Sequence, residues 1–312
     1  MSKNLVYMGS PDFAVGPLLA LVEAGYLISA VFTQPDRPAG RGRVLSPPPV
    51  KVAAERLCLP IVQPLTLRDK SVQEHLQSLQ PEIIVVAAYA QLLPPRVLRI
   101  PANGCLNIHA SLLPRYRGGA PVHWAIMNGE HETGVTIMHM ASGLDTGDIL
   151  LQEKLPIESE ATTGDITALL SSLGAKLILD VLAMPDRGES LRAPQQHALA
   201  TYARNICKED GKLPWHLESA AIHNLIRGLN PWPLAYTSCA GQYVRILRSR
   251  MVTDAMSLGP GEVRAAGRAL LVGTGKGLLE LLEVQPAGKR VMTGIEFARG
   301  YLKGGVRSSQ FS

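Results

Sequence analysis

Hydrophobic residues in the first half of the chain form short runs with an amphipathic stretch between them. Residues 4–8 and 27–33 are apolar and strand-like, whereas residues 13–24 repeat apolar positions with a helical period up to Gly25. This order predicts a β-α-β unit and therefore an α/β fold with a doubly wound, mostly parallel sheet. Residues 83–88 are apolar throughout, as expected of a central strand that is buried on both faces.

The last third of the chain has a different pattern. A predicted helix over residues 217–229 is followed by short apolar runs that are separated by glycine-containing turns. Closely spaced strands of this kind are typical of a small β-barrel. We expect its strands at residues 243–248, 261–265, 269–272 and 278–284.

Two polar stretches interrupt these patterns. Residues 34–49 are rich in proline, glycine and arginine, which predicts an exposed loop that is neither helix nor strand. A second irregular stretch precedes the barrel and predicts a linker. We therefore expect a first domain at residues 1–189, a linker at residues 190–207 and a second domain at residues 208–312.

Charge distinguishes the two expected domains. Residues 208–312 carry a net charge of +6, and the rest of the chain carries −1. A localised basic surplus is typical of a domain that binds a polyanion, although many basic domains bind none. The four cysteines have no zinc-like spacing, and the longest uninterrupted apolar run, residues 83–90, is too short to span a bilayer. We expect a soluble, cytoplasmic protein without a metal or membrane association.

Residues 104–114 contain a predicted strand that ends in a polar turn. Side chains alternate between the two faces of a strand, so Asn107 and His109 project from the same face. An Asn amide can hold a carbonyl oxygen, and a His imidazole can move a proton near neutral pH. This pair predicts acyl chemistry rather than redox chemistry.

Other loops at predicted strand ends also bear on the expected ligand and chemistry. Ligands of open α/β sheets bind beyond such ends, so residues 89–94 are a candidate pocket wall, although an ordinary connection has the same pattern. Asp145 lies in a glycine-bracketed acidic loop and would favour the imidazolium form of His109 if it reached the ring. Gly9 is the single glycine of the first turn, which disfavours a nicotinamide or flavin cofactor.

Four segments together resemble the 10-formyltetrahydrofolate-dependent formyltransferases, and the resemblance covers essentially the whole chain. They are residues 32–42, the Asn107-x-His109 pair with residues 111–114, residues 143–148, and Asn230-Pro231-Trp232-Pro233. The central motifs are common to that family. The arginine-rich loop and the Asn-Pro-Trp-Pro segment narrow the resemblance to the branch that acts on methionyl-tRNA. One departure is Ala90, where the family's turn has glycine.

The resemblance implies a Rossmann-like formyltransferase domain followed by an OB-like tRNA-binding domain. We expect the enzyme to be a monomer. The resemblance also implies transfer of a formyl group from the co-substrate 10-formyltetrahydrofolate to the methionine α-amine of initiator methionyl-tRNA, for translation initiation. Asn107, His109 and Asp145 would be the catalytic residues. The folate would contact Ser111, Leu112, Leu113, Pro114, Tyr89, Ala90, Gln91 and Leu92, and the tRNA would contact Arg41 and Arg43.

Several alternatives stay open at this point. A folate-dependent formyltransferase that acts on an amino sugar nucleotide would have the same catalytic strand, but the basic surplus and the loop with Arg41 and Arg43 favour tRNA. A glycinamide ribonucleotide formyltransferase would not need the additional second domain. A nucleic-acid-binding module on an inactive α/β scaffold is disfavoured by the joint presence of the amide, imidazole and carboxylate candidates.

Overall fold

A computed structural model describes residues 4–39, 44–239, 241–253, 256–302 and 310–312. The chain divides into two units that each draw on several segments. The first unit consists of Met1–Pro121, Thr133–Pro156 and Thr167–Arg204. The second unit consists of Val122–Glu132, Ile157–Ile166 and Asn205–Ser312.

The first unit is built on a mixed, mostly parallel sheet. Its strands are β1 (Asn4–Gly9), β2 (Leu27–Phe32), β3 (Arg37–Ala39), β4 (Val44–Ser46), β5 (Ile61–Val62), β6 (Ile83–Ala87), β7 (Cys105–His109), β8 (Arg117–Gly118), β9 (Glu132–His139), β10 (Ile149–Pro156) and β11 (Tyr202–Ala203). Within the described residues, the main sheet has the order β10-β9-β7-β6-β1-β2-β5. Strands β2, β1, β6 and β7 are mutually parallel and β9 runs antiparallel to β7, so the predicted fold class is confirmed.

Helices occur in both units. Their bounds are α1 (Val15–Glu23), α2 (Pro49–Arg56), α3 (Lys70–Ser78), α4 (Pro95–Leu98), α5 (Pro121–Met127), α6 (Thr163–Ala183), α7 (Ser219–Gly228) and α8 (Gly294–Tyr301). Among the described residues, α6 is the one helix that is long and apolar enough to cross a membrane by length and composition, and 50% of its apolar window is buried.

Helix α6 packs on the face of the sheet opposite the predicted catalytic side chains. A Cβ atom at Gly174 would lie 2.8 Å from Ile108 Cγ2, so only glycine allows the helix to approach β7 this closely. The Ser171 hydroxyl also donates a hydrogen bond of 2.8 Å to the Phe13 carbonyl. Ile108 alternates with Asn107 and His109 along β7, and α6 therefore covers the apolar face of that strand.

The proline-rich stretch at residues 34–49 contains a hairpin, so the expectation of neither helix nor strand was wrong. Strands β3 and β4 pair antiparallel with Pro38 opposite Leu45. A two-stranded ribbon has open edges, where the N–H group that proline lacks is not needed for pairing. Asp36 at the base of the hairpin accepts hydrogen bonds from Gln63 and Lys51, which lower the pKa of its carboxyl group. Arg41 and Arg43 lie outside the described residues.

Residues 190–204, part of the expected linker, belong to the first unit. Strand β11 pairs with β8, and the Arg117 N–H donates to the Thr201 carbonyl at 2.8 Å. A 3₁₀ helix at His197–Leu199 lies in the same stretch. These contacts are hydrogen bonds between distant segments, and the polar composition that indicated a linker carries no signal for them.

The second unit ends in an antiparallel sheet, as predicted. Its strands are β12 (Ala235–Cys239), β13 (Gln242–Val252), β14 (Val263–Ala266), β15 (Ala269–Gly273), β16 (Leu278–Pro286) and β17 (Met292–Thr293). Strand order is β12-β13-β16-β15-β14, and β17 pairs with β16. Bridges from Phe311 to Cys239 and from Gln310 to Glu262 join the β12 side of the sheet to the β14 side. Sequence reasoning missed β12, whose residues alternate between buried and half-buried.

Candidate active site

Asn107 and His109 lie near the carboxyl end of β7 and are almost fully buried, with exposed fractions of 7% and 6%. The structure brings Asp145 to both of them. Asn107 Nδ2 lies 3.5 Å from Asp145 Oδ1, and His109 Nδ1 lies 3.8 Å from Asp145 Oδ2. The amide, the imidazole and the carboxylate that the sequence indicated therefore form one cluster.

The His109 ring is oriented by a backbone carbonyl. His109 Nε2 lies 3.0 Å from the Tyr116 carbonyl oxygen, and because a carbonyl only accepts, Nε2 carries the hydrogen and donates it. Nδ1 then faces the Asp145 carboxylate. The distance of 3.8 Å is too long for a hydrogen bond, so Nδ1 is the ring nitrogen that can face a ligand.

Residues 116–118 contact both His109 and Asp145. Tyr116 has a φ angle of +59° and Asp145 has a φ angle of +49°, both in the left-handed region that residues with a Cβ rarely adopt. The Gly118 N–H donates to Asp145 Oδ2 at 2.8 Å. A Cβ at Gly118 would lie 2.6 Å from the Ala203 carbonyl oxygen, so β8 and β11 require glycine at this position.

Two residues that sequence reasoning missed support the acidic loop. Gln195 Nε2 donates to the Asp145 carbonyl at 2.9 Å and to the Gly147 carbonyl at 2.7 Å. Arg117, only 2% exposed, donates in turn to Gln195 Oε1. Gln195 lay in the expected linker, where no spacing or periodicity pointed to it. A Cβ at Gly147 would also collide with the His139 carbonyl oxygen, so the loop closes tightly on β9.

The turn after β7 is fixed by hydrogen bonds to neighbouring strands. Thr136 Oγ1 donates to the Ser111 carbonyl at 2.6 Å and accepts from the Leu113 N–H at 3.1 Å. Ser111 and Leu113 are buried, whereas Leu112 and Pro114 are half-buried. Of the four residues expected at the folate site in this turn, Leu112 and Pro114 therefore retain accessible side-chain surface.

The turn after β6, where the sequence predicted a pocket wall, has one fully buried and one exposed large side chain. Tyr89 is 2% exposed, burial raises the pKa of its hydroxyl, and that hydroxyl has no hydrogen-bond partner among the described residues. Leu92 is 70% exposed. Gln91 anchors the turn because its Oε1 accepts from the Leu67 N–H at 3.0 Å. Ala90 is exposed between them.

Ala90 has a φ angle of +64°, which is unfavourable for a residue with a Cβ. We expect Ala90→Gly to raise the free energy of unfolding by about 0.5–1 kcal/mol, because a left-handed penalty of roughly 1–2 kcal/mol is removed and part of that gain is offset by glycine's backbone entropy. Urea denaturation measures the change. Ala24, exposed with a φ angle of −75°, is the matched control, and Ala24→Gly should give no gain. Equal losses in both variants would contradict this reading of the turn.

Cys105 begins β7 but is not an activated nucleophile. Burial raises the pKa of its thiol to about 12, so the group stays protonated at neutral pH. In the part of the chain that the structure describes, no group of three or more His, Cys, Asp or Glu side chains is placed to hold a metal ion. The polar groups gathered at the end of β7 can donate hydrogen bonds to an oxyanion and move a proton, as acyl transfer to an amine requires.

Comparison with known protein families agrees with this chemistry. The family model described as "Formyl transferase" matches residues 5–182, and the model described as "Formyl transferase, C-terminal domain" matches residues 205–302. These two matches define the class of enzyme as formyltransferase. A protein named methionyl-tRNA formyltransferase from Moorella thermoacetica is 50% identical over 300 residues, which are 96% of each chain. The chain belongs to the methionyl-tRNA formyltransferase family.

Two further comparisons extend this result. The protein of the same name from Pelotomaculum thermopropionicum is 48% identical over 299 residues, or 95% of each chain. A crystal structure of an N-formyltransferase from Helicobacter canadensis, in complex with folinic acid and dTDP-3-aminofucose, matches with a TM-score of 0.67 at 19% identity. The match covers 90% of this chain and 99% of that one, and it supports the fold.

Proposed function

We propose that the protein transfers the formyl group of 10-formyltetrahydrofolate to the methionine α-amine of initiator methionyl-tRNA, giving N-formylmethionyl-tRNA for translation initiation. The cluster of Asn107, His109 and Asp145 at the end of β7 carries this proposal. It supplies the donors and the proton that this reaction needs. Sequence identity of 48% and 50% to two proteins named methionyl-tRNA formyltransferase, over 95% and 96% of this chain, supports the choice of acceptor.

The proposed mechanism is direct attack by the amine. The neutral α-amine forms a bond to the formyl carbon, and the carbonyl oxygen becomes an oxyanion that accepts hydrogen bonds from the Asn107 amide and from protonated His109. His109 then gives its proton to the departing folate nitrogen as the carbon–nitrogen bond breaks. The surplus proton of the attacking amine leaves through a water that Asp145 orders. No covalent enzyme intermediate forms.

The folate site is proposed at residues 89–92 and 111–114. Strands β6 and β7 are parallel neighbours, so both turns leave the same edge of the sheet, where ligands of such sheets bind. Leu92 offers an exposed apolar surface to the pterin ring, and the unpartnered Tyr89 hydroxyl lies in the same turn. Half-buried Leu112 and Pro114 offer contacts from the neighbouring turn.

The tRNA is proposed to contact the loop with Arg41 and Arg43 and the basic second domain. The catalytic work then belongs to residues 1–189, and residues 208–312 bind the tRNA. Phosphate contacts in that domain position the tRNA without reading its sequence. We also propose that the enzyme acts as a monomer in the cytoplasm, where its tRNA substrate is made and used, and that it does not associate with a membrane.

The test of the function is single-turnover formyl transfer from 10-formyltetrahydrofolate to charged initiator methionyl-tRNA. We expect rapid transfer that weakens as salt rises, because phosphate contacts release counterions on binding. An amino sugar nucleotide is the competing acceptor in a parallel reaction. Transfer to the sugar nucleotide and none to the tRNA would overturn the proposed acceptor but retain the formyltransferase chemistry.

Arg41→Ala is expected to lower kcat/KM for methionyl-tRNA by about ten-fold or more, as loss of an arginine contact to nucleic acid typically does, with little change in folate affinity. Steady-state kinetics with each substrate varied in turn measure the two effects. Arg56→Ala makes the same charge change at an exposed position of α2 and is the control. Equal losses for tRNA and folate in Arg41→Ala would contradict assignment of the loop to tRNA.

A further inference from the structure

A chain of buried hydrogen bonds runs from β8 to the loop that carries Asp145. Arg117 Nε and Nη2 donate to Gln195 Oε1 at 3.2 Å and 2.6 Å, and Gln195 Nε2 donates to the carbonyls of Asp145 and Gly147. Arg117 Nη2 also lies 3.0 Å from His197 Nδ1, which accepts because the guanidinium can only donate. Gln195 is 5% exposed, so water does not replace these partners.

These contacts determine which way the Gln195 amide points. Both hydrogens of Nε2 are directed at carbonyl oxygens, and Oε1 receives both guanidinium hydrogens. If the amide were flipped, its oxygen would face two carbonyl oxygens and its N–H groups would face the donors of Arg117. Arg117 therefore fixes the orientation in which Gln195 donates hydrogen bonds to the acidic loop.

The hydrogen bonds from Gln195 hold a loop in which Asp145 has a positive φ angle. Asp145 occupies the left-handed region, which residues with a Cβ adopt less readily than glycine and keep when surrounding contacts impose it. Its carboxylate has a hydrogen bond from the Gly118 N–H, but its carbonyl is held by Gln195. Without the hydrogen bonds from Gln195, the Asp145 backbone can relax and move its carboxylate away from His109 and Asn107.

We infer that Gln195, oriented by Arg117, is a positioning residue for formyl transfer that acts through Asp145. Gln195 makes no hydrogen bond to His109 or Asn107 among the described residues. Its Nε2 donates to the two loop carbonyls and also lies 3.9 Å from Met138 Sδ. Its effect on the reaction therefore passes through the placement of the Asp145 carboxylate. This inference rests on the proposed function, since formyl transfer is the reaction in which the placement is measured.

Gln195→Met keeps most of the side-chain volume and removes both donors. We expect kcat to fall about 10–100-fold, by analogy with residues that hold a metal ligand in place, while KM for folate and for tRNA changes by less than about three-fold. If this variant does not fold, Gln195→Asn keeps the amide but shortens its reach, and it is expected to lose kcat in the same way. Ser171→Ala, which also removes a buried hydrogen bond to a main-chain carbonyl, is the stability control and should retain wild-type kcat.

A double-mutant cycle with Asp145→Asn distinguishes positioning from general support of the fold. Asn tolerates the left-handed backbone of position 145, so the exchange removes the negative charge with little change in shape. If Gln195 acts through Asp145, Gln195→Met should cost less than about three-fold in the Asp145→Asn background. Additive losses in the cycle, wild-type kcat in Gln195→Met, or an equal kcat loss in Ser171→Ala would each overturn the inference. Absence of transfer by the wild-type enzyme would instead overturn the proposed function.

Discussion

His109→Ala is expected to lower the single-turnover rate of formyl transfer by about 10³-fold or more, the largest effect of any single substitution in this chain. In the proposed mechanism the imidazole contributes both an oxyanion donor, typically worth about 10²–10³ in rate, and the proton for the leaving nitrogen, typically worth about 10²–10⁴. The ring is held by the Tyr116 carbonyl, and its Nδ1 faces Asp145. Affinity for folate should stay within about three-fold, because a contribution made only in the transition state leaves ground-state binding unchanged.

Rapid-quench measurement of the first turnover tests this expectation, with folate affinity and urea denaturation measured on the same samples. His75→Ala, at an exposed position of α3, controls for the loss of an imidazole elsewhere. His109→Gln separates the two roles, because its amide can donate a hydrogen bond but cannot deliver a proton. A His109→Ala enzyme that turns over within ten-fold of the wild type would contradict the role given to this residue.

Asn107→Ala is expected to lower kcat by about 10²–10³-fold with little change in KM, since removal of a single oxyanion donor has an effect of this size. Asn107 is nearly buried, and its amide nitrogen lies at 3.5 Å from Asp145, which leaves a hydrogen of the amide available for the oxyanion. Asn107→Asp keeps the shape but replaces the donor with a carboxylate beside Asp145, and we expect it to be at least as impaired as the alanine variant.

Steady-state kinetics with both substrates varied will separate the kcat effect from binding. Asn103→Ala, at an exposed position just before β7, is the control for substitution of an asparagine in this segment. A rise in KM with unchanged kcat would mean that Asn107 binds substrate and transition state equally, and would contradict its role as an oxyanion donor.

The parts of this structure that the sequence predicted are those with a local, periodic signal. The apolar run of β6 and the alternation along β7 depend on residues next to one another in the chain, so the sheet and the shared face of Asn107 and His109 follow from the pattern. The hairpin of β3 and β4 was missed because proline and glycine conceal a short two-stranded ribbon whose open edges tolerate them.

The parts that could not be predicted depend on contacts between distant segments. Gln195 reaches an arginine 78 positions earlier in the chain and a loop about 50 positions earlier. A hydrogen bond of this kind needs one polar side chain at one position, and a single polar side chain leaves no periodicity. The glycine-bracketed acidic loop drew attention to Asp145 and the resemblance to formyltransferases implied its catalytic role, but the residues that hold its loop in place became visible only with the fold.

Three consecutive residues hold three different parts of the candidate site. Tyr116 orients His109 through its carbonyl, Arg117 secures the acidic loop through Gln195, and Gly118 donates to the Asp145 carboxylate. An insertion or deletion of one residue here would dislodge all three attachments together, so this stretch is a poor place for length variation. A design that places this candidate site on another scaffold would therefore have to include this tripeptide together with β7, the acidic loop and Gln195.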